Sequence, residues 1–251
     1  MIMRMHIIRI FSLLTGAAVI AAAGPAVASF KVWQPDAEYG ETAVETLGDW
    51  GHAPIAAHSG EQLYTEEIER GLTPFWRTEL ELEQERLPGP GQPTNLSAVA
   101  SENVFQLTER GQYWLDAGLF AEYEQSLLPK TPNAAIFGPI LRKEMFGTID
   151  TVNLFVEKDL GSYAEGRPHF LYAWETRIAL GTPIEPGFQA YGAPDPAGHL
   201  LGDQRLGPVL FGTVTRLGPG ALRWNAGVLF GLTAAAPRET IRWQAEYEIH
   251  F

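Results

Sequence analysis

Two-residue alternation, repeated from one end of the chain to the other, is the feature that most limits what it can fold into. In 75–87, Trp76, Thr78, Leu80 and Leu82 fall on one side, and Arg77, Glu79, Glu81, Glu83 and Glu85 on the other. A period of two belongs to a pleated strand; a helix would scatter both sets around its circumference. The pattern recurs in 112–125, where Tyr113, Leu115, Ala117, Leu119, Ala121 and Tyr123 oppose Asp116, Gly118, Phe120, Glu122 and Glu124. It recurs in 152–160, 170–180 and 242–251, the last setting Trp243, Ala245, Tyr247, Ile249 and Phe251 against Arg242, Gln244, Glu246, Glu248 and His250.

Gly and Pro punctuate these runs, because they supply the backbone conformations of turns and interrupt strands. Twelve segments result: 31–50, 61–71, 75–87, 101–110, 112–125, 136–146, 149–160, 168–180, 183–192, 204–216, 221–232 and 238–251. The first is long and includes a lead-in. Segments 61–71, 183–192 and 204–216 have blurred faces, through Glu66-Glu67 and their Gly and Pro content. Turns near 71–74, 110–111, 146–148, 181–183 and 217–220 alternate with longer loops at 51–60, 88–100, 126–136, 161–167, 193–203 and 232–237. An even strand number, with short turns at one end and longer loops at the other, predicts an all-β, antiparallel transmembrane barrel of about twelve strands. Closure leaves no backbone edge facing lipid unpaired.

The N-terminal 28 residues read as a targeting segment. Arg4 and Arg9 precede an apolar stretch from Ile10 to Ala23, and Pro25 leads into Ala26-Val27-Ala28. That is the layout of a secretory signal peptide cleaved after Ala28, leaving 29–251 as the barrel domain. The alternative, a membrane anchor, needs a longer apolar run. The net charge of −12 becomes more negative when Arg4 and Arg9 are removed. Such an acidic chain is a poor match for nucleic acid, and the absence of cysteine excludes disulfides and thiolate chemistry.

A soluble sandwich alternates too, but with its polar face outward. Two features favour membrane lipid as the outer partner. The polar faces carry runs of Glu suited to a wet lumen, and Trp76, Tyr113, Tyr123, Tyr172, Trp174, Trp224, Trp243 and Tyr247 supply aromatic girdles on the apolar faces. A third comes from resemblance. The ending Trp243, Tyr247, Ile249 and Phe251, alternate positions closing on an aromatic, resembles the C-terminal assembly signal of bacterial outer-membrane barrels. That resemblance implies an outer-membrane location and the barrel-assembly machinery as a partner. The stretches Gly207-Pro208-Val209-Leu210-Phe211-Gly212 and 227–233 also look like a group of proteobacterial barrels. These are similar to the channel family found beside aromatic-hydrocarbon (phenol) degradation genes, and the resemblance implies uptake of a small solute.

The expected lumen set is Arg77, Glu79, Glu81, Glu83, Glu102, Gln106, Asp116, Glu122, Glu124, Arg142, Glu144, Asn153, Glu157, Glu175, Arg177, Gln189, Asn225, Arg242, Gln244, Glu246 and Glu248. Carboxylates outnumber guanidinium groups, and acidic walls favour cations. The expected function is therefore a small-solute channel with a cation-preferring lumen. The alternative is a structural barrel, closed by pairs between these arginines and glutamates. A barrel-embedded enzyme fares worse. Its Ser and His would need matching heights on neighbouring strands, but His52, His58 and His199 fall in loops and no Gly-x-Ser-x-Gly is present. No cofactor and no metal are expected; His52 and His58 have no third ligand in the sequence pattern.

Overall fold

The computed structural model describes residues 30–164, 166–194 and 202–250. The expected signal peptide and Phe251 lie outside these residues. The described chain is a closed antiparallel barrel in which every strand pairs with its sequence neighbours and β1 pairs with β12. The strands are β1 (Glu41–His52), β2 (Gln62–Thr73), β3 (Trp76–Arg86), β4 (Thr94–Gln106), β5 (Asp116–Ser126) and β6 (Asn133–Met145). They continue with β7 (Thr148–Leu160), β8 (His169–Ile178), β9 (Ile184–Gly192), β10 (Gln204–Leu217), β11 (Gly220–Gly231) and β12 (Glu239–His250). One turn of 3-10 helix, Ala56–His58, lies between β1 and β2.

The alternation seen in the sequence becomes an inside and an outside. Each strand turns a large apolar side chain outward: Val44, Ile68, Leu80, Leu96, Leu119, Phe137, Leu154, Phe170, Phe188, Leu210, Phe230 and Ile241 are all well exposed. The inward positions include Glu45, Glu67, Glu79, Glu81, Glu102, Asn153, Gln189 and Arg242, all buried. A soluble barrel would invert these faces. An apolar belt around the full circumference is the exterior of a transmembrane barrel.

Three boundaries differ most from the sequence expectation. First, the segment expected as a strand from 31 becomes one only at Glu41; residues 30–37 instead run inside the barrel. Second, β4 begins at Thr94, inside the expected loop 88–100. Its register shifts so that Glu83 faces Ala98 while Gln84 faces Leu96. Ser97 and Ala98 are therefore both buried, a bulge whose extra residue breaks the parity that alternation reading depends on. Third, 107–115 is a connection, so Tyr113 stands on a loop and not in a strand girdle.

Prolines within a barrel have no edge strand to retreat to. Here they coincide with gaps in the ladder. Pairing of β6 with β7 passes from Phe137–Val156 to Ile140–Asn153 across Gly138-Pro139. Pairing of β10 with β11 passes from Leu206–Phe230 to Val209–Gly227 across Gly207-Pro208. A Cβ on Gly207 would lie 1.9 Å from the Val228 carbonyl oxygen, so only glycine fits there.

Candidate functional site in the lumen

Register places glutamates opposite one another across successive inner faces. Glu246 faces Glu45, Glu45 faces Glu67, and Glu67 faces Glu81 across β12, β1, β2 and β3. Glu69 faces Glu79, Glu79 faces Glu102, and Glu102 faces Glu122 across β2 to β5. Like charges directly opposite one another repel, the more so when buried. This wall needs cations.

One cation comes from the lead-in segment. The Lys31 ammonium lies 2.9 Å from Glu45, 2.5 Å from Glu79 and 3.9 Å from Glu102, and it also pairs with Glu67. All five side chains are almost wholly excluded from solvent. Arg77 adds a second positive charge, 3.5 Å from Glu69 and 3.4 Å from Glu79.

The rest of the segment is equally seated. Buried backbone groups must find partners, and here strand side chains provide them. Asn153 accepts from the Trp33 N–H at 2.9 Å and donates to the Trp33 carbonyl at 3.0 Å. The Trp33 indole donates to Glu102 Oε2 at 2.8 Å. Thr151 donates to the Gln34 side chain, and Gln106 accepts from the Ala37 N–H. Tyr191 donates to the Phe30 carbonyl at 3.1 Å, and the Arg205 guanidinium lies over the Phe30 ring. At the short-turn mouth Arg142 pairs with Asp36 at 2.9 Å. A hydrogen bond to His250 there holds the Glu38 carboxyl below its ordinary range.

The interior is two-sided, which the sequence expectation of a wet polar face did not include. Trp33 packs with Val104, Phe120, Ile136, Ile140, Phe155 and Leu171. Phe30 and Val32 pack with Ala173, Tyr191, Val209, Phe211 and Leu229. Strands β4 to β11 thus offer apolar patches opposite the acidic wall of β12 and β1 to β5. Lys31 meets the wall while its aromatic and aliphatic neighbours meet the patches. A cavity of about 590 Å³ remains beside the segment, bordered by Gln34, Asp36, Arg77, Arg142, Arg177 and Glu246 among others.

Of the sequence-predicted set, Glu79, Glu81, Glu83, Glu102, Asp116, Arg142, Asn153, Glu157, Glu175, Gln189, Arg242 and Glu248 are buried inside the barrel. Arg77, Gln106, Glu122, Glu124, Arg177, Asn225, Gln244 and Glu246 are partly accessible. Glu144 is exposed at the mouth, bridging Arg110 and Arg142 at 2.9 and 2.6 Å. Arg242 donates to Gln189, Asn225 and Gln244, and Gln244 donates to Glu45, forming a network that ties β9, β11 and β12 to β1. Sequence reading missed Lys31, Trp33, Glu45, Glu67 and Glu69. The available signal was the alternation Lys31, Trp33 against Phe30, Val32, which marks an amphipathic stretch without saying what it faces.

No protein-family model matches the chain, and no curated protein matches it. Among solved structures, CdiB from Escherichia coli is similar at 9% identity and a TM-score of 0.44, over 84% of this chain and 63% of that one. The chain thus spans 63% of the length of that structure. Two Pseudomonas aeruginosa structures, OccK11 (OpdR) and OccK9 (OpdG), are similar at 9% and 11% identity, with TM-scores of 0.29 and 0.28. They are covered over 100% and 97% of their lengths, by 88% and 84% of this chain. These are likenesses of general barrel form. What the lumen does has to be read from this chain's own residues.

Proposed function

We propose that the protein is a bacterial outer-membrane channel for small solutes, cation-preferring, and closed at rest by its own residues 30–37. One observation carries this reading. The acidic wall already holds a cation, and that cation is Lys31, a tethered ammonium in a cage of four glutamates. A wall that retains a lysine side chain attracts mobile cations once the lysine leaves. Uptake of a small solute, which the resemblance to channels beside aromatic-hydrocarbon degradation genes implies, is part of the same proposal, and we extend it to aromatic solutes. The interior Phe120, Phe155, Tyr191 and Phe211 support it as a stacking surface.

Planar-bilayer recording tests the reading. The mature chain is expected to show little conductance, and deletion of 30–37 to open a pore whose reversal potential in a salt gradient reports cation preference. A folded deletion variant without conductance overturns the channel, and anion preference overturns the role of the wall. The alternative, a structural barrel, is favoured by the Arg242–Gln189–Asn225–Gln244–Glu45 network, which holds the inner faces together without the segment. It predicts that the deletion variant stays closed.

Export through a signal peptide ending at Ala28, and recognition of β12 by the assembly machinery, belong to the same proposal. Phe251→Ser is expected to lower the yield of inserted barrel in outer-membrane fractions. Unchanged insertion would remove the assembly role from Trp243, Tyr247, Ile249 and Phe251.

A further inference from the structure

Lys31 and Arg77 do not account for the whole acidic wall. Glu67 directs Oε2 to Lys31, but its Oε1 is buried without a hydrogen-bond partner. Glu81, directly opposite Glu67 on the neighbouring strand, is 5% exposed, and its Oε2 also has none. Glu102, on β4, spends Oε2 on the Trp33 indole. The three side chains each bring an oxygen to within 4.8 Å of the other two. Two buried carboxylates of one cluster that each keep a partnerless oxygen are a costly arrangement, because a buried acceptor that lost its water must find a donor or a cation.

We infer that Glu67, Glu81 and Glu102 form a binding site for a hard divalent cation, calcium or magnesium, inside the barrel. The chemistry of the donor set selects the class. It is all carboxylate oxygen, with no sulfur or imidazole, which suits hard cations and disfavours zinc or copper. Charge points the same way: the Lys31 ammonium is shared among four glutamates, and no cation pairs with Glu81 among the described residues. A divalent ion would join β2, β3 and β4 on the inside. It would also fix the strand wall against which Lys31 and Trp33 seat. The site is independent of whether the barrel conducts.

Trp33 provides a local reporter, since its indole nitrogen lies 2.8 Å from Glu102. Terbium is titrated into the folded mature chain in detergent micelles, with tryptophan excitation and calcium as competitor. The expected result is saturable sensitised emission that calcium displaces. In Trp33→Phe the emission is lost, yet calcium still raises the temperature of the folded-to-unfolded mobility shift. Glu81→Gln removes a ligand and is expected to weaken binding by more than the roughly tenfold typical of losing an outer-shell partner. It replaces an unpartnered buried charge with an amide, so it folds at least as well without calcium, which separates ligand loss from misfolding. Emission that calcium does not displace, or that survives Glu81→Gln, places the ion elsewhere and overturns the site. A calcium-insensitive unfolding temperature in the unaltered chain overturns it too, and leaves a proton shared between Glu81 and Glu102 as the occupant. A deletion variant that fails to conduct would leave all these results standing.

Discussion

At the residue scale the molecule turns on Lys31. Its ammonium touches β1, β2, β3 and β4 at once. Removing one partner of a buried ion pair leaves the others unpaired and typically costs about 3–5 kcal/mol. Lys31→Met keeps the aliphatic stem and removes the charge. It is expected to lower the heat-modification midpoint on unboiled gels, and to make 30–37 accessible to protease in folded barrels. An unchanged midpoint and an unchanged digestion pattern would show that the cage is not what holds the segment. Sequence could not single out this lysine. Its neighbour in sequence, Trp33, offers only a ring face 5.7 Å away, and the four glutamates it pairs with come from four different strands.

At the scale of elements the turns are the most local features and were the most legible. Phe146 and Gly147 join β6 to β7 with φ of 52° and 80°. Positive φ at both central residues belongs to the two-residue turn whose twist suits a hairpin, and a non-glycine residue there is held at some cost. Phe146 is 99% exposed, so no packing compensates it. Phe146→Asn is expected to stabilise the barrel slightly, by up to about 1 kcal/mol, and Gly147→Val to destabilise it by more than that. Urea unfolding in lipid vesicles measures both. The opposite order would mean that Phe146 inserts its ring into the membrane surface as an anchor. The bulge at Ser97 shows the limit of pattern reading at this scale. One extra residue reverses the parity of everything before it, so 94–100 resembled a loop until its register on β3 was known.

At the scale of the whole molecule the decisive property is which face is wet. Leu80 sits mid-strand on the outside, 65% exposed, flanked by the inward Glu79 and Glu81. Leu80→Arg is expected to cost about 2–4 kcal/mol of folding stability in bilayers, the penalty of a charge at lipid depth. In a soluble sandwich the same change on an exposed position would be nearly neutral. Folding titrations in vesicles separate the two, and a negligible effect would reverse the membrane assignment.

The sequence by itself determined the strands, their approximate ends, most of the short turns and long loops, and, where the two faces are clean, the side of a strand that carries charge. All of these depend on residues a few positions apart, because a strand's side chains alternate whatever it pairs with. The tertiary structure decided what fills the interior. Closure brings glutamates from six strands face to face, and that concentration of charge in a low-dielectric space exists only once the sheet is closed. It also turned residues 30–37, expected to lead into the first strand, into an internal segment, since Lys31 and Trp33 find their partners only inside a finished barrel.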